Sequence, residues 1–528
     1  MRKKTTFGVI IIAILLIISL PLFQVLYAII SPMFRGHVDA YRLLADARLL
    51  NLFLRSCFLA IMVVILTSFI TIPLAFLFVH HKFTFSKGFL FFVLAPFFIP
   101  PYIQAIAWIY LMGNEGWLNH LLATITGMDK LPFTIYGFWG SVFVLSVWLY
   151  PVMLVHYLIA YSQGNTYSEA AGLFQSRWMV FRKVIFPLGK HAVWSGVALV
   201  FVMAITNFSV PGILELNVYP VEIFSQIGAF FNFSDASILS LPYLLLAIAF
   251  TLFLIASTKK MFRYSLLHVK PAYKLLKSPG QAIIIFLLVL FLFIVLVFPV
   301  VALIVETKGI VTFLNALQNS WKPLMHSVLL SLAGAGLITV LGFLLALHTR
   351  NSKSINAWLA FLLIFPIFIY GGLYGIGLIE TWNQKFLQNL IYGNFLIILL
   401  GYLRFLPIGF FLIYSGMIKI PNAYSEVSLI TGRNKMAFYQ KVFIPLLKPV
   451  LTASLLVSFI FCFTELDTTI LVYPAGIETL PVSIFSLLHY GANEQVAAIC
   501  LIQMVTIALL LMVFVRNFKL TNFNTASE

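Results

Sequence analysis

An all-α polytopic membrane protein, with about twelve transmembrane helices arranged as two parallel six-helix repeats, is the fold class that the sequence predicts. Three observations predict it. Charged residues fill only 9% of the 528 positions and apolar ones fill 62%, whereas a soluble domain carries about 25% charged residues. Apolar runs long enough to cross a bilayer, about 20 residues each, recur along the whole chain. The basic excess behind the net charge of +17 falls between those runs, unevenly. The first observation excludes a soluble enzyme. The last excludes a nucleic-acid binder, whose basic residues would cluster on one folded surface.

The expected spans, in order, are 7–30, 57–79, 88–112, 136–160, 193–213 and 238–256, then 282–305, 328–347, 357–379, 395–418, 450–472 and 496–515. The first follows Arg2, Lys3 and Lys4 but is too long for a signal peptide and has no small-residue cleavage site after it. It is read as an uncleaved helix. Pro96, Pro100 and Pro101 in the third span, and Pro366 with Gly371, Gly372, Gly375 and Gly377 in the ninth, break or thin those helices. Helix packing is the first explanation for them.

Loop lysines and arginines set orientation. With the N-terminus placed in the cytoplasm, 24 of the 33 basic residues fall on that side and 8 outside. Both termini are therefore expected inside. Arg404 alone lies within a span. The outer loops are acidic, and the cytoplasmic face has only two internal acids, Glu169 and Glu426.

The halves read as copies. Ser56 and Leu74-Ala75 match Ser327 and Leu345-Ala346, and Tyr167-Ser168-Glu169 matches Tyr424-Ser425-Glu426. Pro220-Val221 with Ile223-Phe224-Ser225 matches Pro481-Val482 with Ile484-Phe485-Ser486. Six spans per copy is an even number, so the repeats are parallel, and such repeats place a pathway at their interface. The expected domains are a first unit at 1–258, a basic cytoplasmic linker at 259–280 and a second unit at 281–528. Cys57, Cys462 and Cys500 sit in apolar runs without disulfide or zinc spacing. No metal site and no catalytic constellation is expected.

Two cytoplasmic loops, 161–190 and 418–449, carry the most information. In the first, Ser168-Glu169-Ala170-Ala171-Gly172 leads to Phe174, Trp178 and Pro187; in the second, Ser425-Glu426-Val427-Ser428 leads to Gly432, Phe438 and Pro445. Ser-Glu before an apolar-periodic run reads as a helix start. A following glycine permits a left-handed turn, and proline suits the start of the next helix. Apolar side chains shown to the cytoplasm twice, at equivalent places, point to a partner surface rather than a helix lying on the membrane.

These residues resemble the EAA loop of ABC-importer permeases of the type I, binding-protein-dependent class. In that family the loop forms a coupling helix that docks on the ATPase. Glu169 and Glu426 match the motif glutamate, Gly432 the glycine, and Pro187 and Pro445 the closing proline. Ala170, Ala171, Gly172, Phe174, Trp178, Ser428 and Phe438 complete the implied coupling surfaces. The first loop departs from the pattern, with Phe174 or Gln175 where the glycine should stand and one position fewer between glutamate and proline. The resemblance covers the whole chain, with both permease units fused. It implies residence in the bacterial inner membrane, two copies of an ABC ATPase subunit and an external substrate-binding protein. The chain has no phosphate-binding G-x-x-x-x-G-K-[ST] loop, so no cofactor is expected on it; ATP and magnesium would belong to the ATPase.

Within the membrane, Arg404 is costly and suggests function or a buried partner. Its equivalent in the first half is Trp148. Glu465 and Asp467 interrupt the eleventh span and match Asn207 and Ser209. These five polar residues are the pathway candidates. Glu465 or Asp467 either pairs with Arg404 as a structural link or lines the route of a cation. Pro100-Pro101-Tyr102, Ser209-Val210-Pro211-Gly212 and Tyr473-Pro474-Ala475-Gly476 resemble the ferric iron group of fused permeases. Ferric iron is the substrate this implies, with thiamine, 2-aminoethylphosphonate and polyamine permeases as alternatives. A secondary transporter with parallel repeats is the alternative of another class.

Overall fold

The computed structural model describes residues 2–34, 38–80, 87–127, 134–171, 179, 183, 186–261, 279–352, 357–385, 387–421 and 438–517. Helix is the only regular secondary structure among them. A backbone surrounded by lipid must satisfy its own polar groups, and the helix does so within one segment.

The first half runs through α1 (Arg2–Phe34), α2 (Ala47–His80), α3 (Lys87–Phe98), α4 (Pro101–Met112) and α5 (Trp117–Thr126). It continues with α6 (Phe138–Ala171), α7 (Phe186–Ile205), and the short α8 (Ser209–Ile213), α9 (Tyr219–Gly228) and α10 (Phe233–Leu239), then α11 (Leu241–Met261). The second half repeats the order with α12 (Pro279–Glu306), α13 (Ile310–Asn319), α14 (Trp321–Ser352), α15 (Ala357–Phe368), α16 (Gly371–Trp382), α17 (Leu396–Tyr402) and α18 (Leu406–Ile418). It closes with α19 (Ile444–Phe463), α20 (Thr469–Val472), α21 (Leu480–His489) and α22 (Asn493–Asn517).

Among the described residues, eight helices are long and apolar enough to span, or eleven if each sharply bent pair counts as one. The expected fifth span is a shorter apolar helix, Gly189–Ile205. The expected fifth and eleventh spans also end early. Their helices stop at Ile205 and Phe463 and resume as short pieces, α8 and α20.

The third and ninth expected spans do not merely thin; they turn by 100° and 109°. Pro100 and Pro101 cause the first turn. Proline disfavours helical backbone in the residue before it, and Pro100 is extended, at φ −53° and ψ 140°. The last-turn carbonyls of α3 then lack helical partners. The Pro96 carbonyl accepts from the Ile99 N–H at 3.3 Å and from Gln104 Nε2 at 2.7 Å, and Trp148 Nε1 donates to that of Phe97 at 3.3 Å. Tyr150 adds a bond to the Val93 carbonyl at 2.6 Å.

Two compact units emerge from the packing, and each takes its opening helix from the other sequence half. One unit comprises Met1–Ser31, Leu314–Ala492 and Ile502–Glu528; the other comprises Pro32–Phe313 and Asn493–Leu501. In the first of these, Tyr374 of α16 donates to the Ile18 carbonyl of α1 at 3.3 Å. In the other, Leu292 of α12 joins a buried cluster with Leu74, Phe78, Val93, Tyr150 and Leu154.

The repeat holds at atomic detail. Ser56 Oγ of α2 accepts from the first backbone N–H of α9, that of Tyr219, at 2.9 Å. Ser327 Oγ of α14 accepts from the first N–H of α21, that of Leu480, at 2.7 Å. Each serine satisfies one of the orphan donors at a helix start. Replacing Ser327 by alanine should cost about 1–2 kcal/mol, since the buried Leu480 N–H loses its acceptor. Thermal unfolding in detergent would show this as a lowered midpoint, with Ser327→Thr close to the parent.

Candidate functional site

The pathway candidates gather at the breaks. In the second half, Arg404 lies in the tight turn Leu403–Phe405 between α17 and α18. Its Nη1 donates to Thr468 Oγ1 at 2.7 Å and stands 3.6 Å from Glu465 Oε1. Both side chains are buried, at 10% and 4% exposure, so the charges face each other in a low-dielectric setting. Thr468 Oγ1 in turn donates to the Gly371 carbonyl at 3.1 Å, the first residue after the bend of the ninth span.

Gly371 makes this approach possible. A Cβ there would sit 2.5 Å from Arg404 Nη1 and 2.4 Å from the Asp467 Cβ. Glu465 also serves the backbone. Its Oε1 accepts from the Thr468 N–H at 2.8 Å, and its Oε2 accepts from the Thr469 N–H at 2.9 Å and from the Thr469 hydroxyl. A carboxylate at the N-terminal end of α20 meets unsatisfied donors, as helix starts favour. Of the two acids, Glu465 therefore partners Arg404. Asp467 is half-buried beside them and accepts no hydrogen bond among the described residues.

The first half builds the same junction without charge. Asn207 Oδ1 accepts from the Val210 N–H at 2.9 Å and from Ser209 Oγ at 3.4 Å, at the start of α8. Asn207 and Ser209 are both buried. Trp148, the counterpart of Arg404, bonds the broken third span directly through the Phe97 carbonyl. Asn207 and Glu465 thus cap equivalent short helices, while Trp148 and Arg404 support equivalent bends. Sequence reasoning missed Gln104, Thr468 and Thr469, and it marked Gly371 only as a break in the ninth span. Gly371 carried a signal, as a glycine just after an aromatic in an interrupted span.

The residues expected to couple are placed in part. Glu169, Ala170 and Ala171 form the last residues of α6, which runs unbroken from Phe138. The helix start expected at Ser168-Glu169 is therefore corrected: the fourth span simply continues through it. Good helix formers such as glutamate and alanine extend a helix already nucleated upstream. Gly172, Phe174, Trp178, Glu426, Ser428 and Gly432 lie outside the described residues. Pro187 and Pro445 are the second residues of α7 and α19, both exposed. Phe438 leads into a π-helical turn, Tyr439–Phe443, with ring centroids 5.7 Å from Tyr439 and 6.1 Å from Phe443.

No family model matches the chain. Among known proteins, it is 22% identical over 506 residues to the Fe(3+)-transport system permease protein FbpB 2 of Haemophilus influenzae, covering 92% of this chain and 93% of that one. It is 22% identical over 449 residues to the ferric transport system permease protein FbpB of Actinobacillus pleuropneumoniae, covering 79% of this chain and 64% of that one. It is 29% identical over 203 residues to a protein of Salmonella typhi named "Putative 2-aminoethylphosphonate transport system permease protein PhnV". That match covers 38% of this chain and 76% of the relative. The chain resembles, over nearly its whole length, an ABC-importer permease with two units fused in one polypeptide, of the kind named for ferric iron transport.

Proposed function

We propose that this chain is the membrane permease of a binding-protein-dependent ABC importer for ferric iron. The observation that carries the reading is the end-to-end match to a ferric permease, 92% of this chain against 93% of the relative. The phosphonate match is higher in identity but spans only 38% of the chain. The matched Ser56 and Ser327 caps support two copies of one unit. Substrate selection falls to the external binding protein, hydrolysis of ATP with its magnesium to two copies of a partner ATPase, and passage to this chain. Both termini face the cytoplasm, and the acidic outer loops face the binding protein.

Within this reading Arg404 and Glu465 brace the pathway wall, as Asn207 and Ser209 do in the first half. Asp467 is the acid left to meet a passing cation. Glu169 and Glu426 carry the coupling contacts. The deciding experiment is uptake into proteoliposomes holding this chain, its ATPase and its binding protein. Labelled ferric iron should accumulate only with ATP, and labelled 2-aminoethylphosphonate should not. Uptake of the phosphonate alone, or of either compound without ATP, overturns the reading. Glu426→Lys should leave the ATPase hydrolysing while uptake falls to background, because reversed charge removes the contact at the loop. Parallel assays of phosphate release and uptake check this.

A further inference from the structure

Arg350 closes α14 on the same end of the molecule as the second loop. Its Nη2 donates to the Ile420 carbonyl at 2.9 Å, two residues past the end of α18. Its guanidinium carbon lies 5.0 Å from the centroid of the Phe443 ring, at the end of the π-helical turn that enters α19. Phe443 is buried, 5.4 Å from the Tyr439 ring and 6.1 Å from that of Phe438. One side chain, from a third element, therefore grips the chain where it leaves for the loop and where it returns. A bond to a carbonyl from a charged donor and a cation over a ring are both strengthened by partial burial. A π-helical turn inside a helix often marks a functional position.

Among the described residues, no arginine of the first half makes the same pair of contacts. At the offset that aligns Ser56 with Ser327, the counterpart of Arg350 is Val79. We propose that Arg350 is a positioning residue for energy coupling. It binds the two stems of the second cytoplasmic loop into one lever, so that displacement of the loop reaches α14, α18 and α19 together. This rests on the reading of that loop as the ATPase contact.

The test measures uptake per ATP hydrolysed in proteoliposomes with the ATPase and binding protein, using labelled ferric iron. Arg350→Gln should lower that ratio roughly five- to ten-fold, the scale of one lost charge-assisted contact. The ATPase should still co-purify in parent amounts. Arg350→Lys and Phe443→Leu, each retaining one of the two contacts, should fall between. If Arg350→Gln impairs folding, these two variants carry the test. A parent ratio in all three, or uptake and hydrolysis falling in equal proportion, overturns the proposal. Glu426→Lys separates the two readings. If it lowers the ratio and the Arg350 variants do not, the grip is wrong and the loop stands. If neither lowers it, the loop reading fails as well.

Discussion

Replacing Arg404 by methionine lowers stability by about 3–5 kcal/mol, the cost of stranding a buried carboxylate. Glu465 is 4% exposed and keeps only neutral donors once the guanidinium is gone. The first half shows what the same junction looks like without charge, with Trp148 and Asn207 in the two places. Installing that pair, Arg404→Trp with Glu465→Asn, should recover more than half of the loss. Arg404→Trp alone should not, because it leaves the buried Glu465 carboxylate without its cation. Unfolding midpoints in detergent, measured for both singles and the double, give the coupling energy. Strictly additive effects would show that the ion pair contributes nothing of its own and that the capping bonds alone hold the turn.

Gly377→Leu separates α1 from α16. A Cβ at Gly377 would already sit 2.3 Å from the Pro21 carbonyl oxygen and 2.8 Å from its carbon, both backbone atoms that cannot swing aside. Gly377→Ala therefore costs about 1–3 kcal/mol of overpacking, and leucine exceeds what local shifts absorb. One turn away, the Tyr374 bond to the Ile18 carbonyl breaks as the helices part. The readout is the unfolding midpoint in detergent, which falls further in Gly377→Leu than in Gly377→Ala. A midpoint equal to the parent's in both variants would mean that α1 is not seated on Gly377. Gly375→Ala is the control, since a Cβ there would meet the movable Leu471 side chain at 3.1 Å.

The spans were legible because lipid demands long apolar helices, and runs such as 282–305 announce them. The repeat was legible too, since Ser56 and Ser327 perform one backbone task in both halves. The size of the two bends was not. Pro100, Pro101, Pro366 and Gly371 mark the places, but an angle near 100° depends on Gln104, Trp148 and Thr468 arriving to satisfy the opened carbonyls. Arg404 advertised a partner, yet Glu465 and Asp467 fitted the charge equally. The backbone turn decides between them by aiming the Glu465 oxygens at the N–H groups of Thr468 and Thr469. Ser168-Glu169 misled because local capping preference competes poorly with a helix already 30 residues long at that point. Arg350 counted only toward orientation, because Ile420 and Phe443 lie 70 and 93 positions away.

The exchange of opening helices sets a timetable for biogenesis. Ile18 and Tyr374 are separated by 356 residues. At about 5–20 residues per second, α1 waits in the bilayer for some tens of seconds before α16 is made. Until then Ile18 and Pro21, which end against Tyr374 and Gly377, lack those partners. Lipid tolerates this, because packing between helices and contact with lipid differ little for such side chains. The unit built on the second half therefore cannot close during early synthesis, and a ribosome stalled before Gly371 would leave α1 an orphan for membrane quality control.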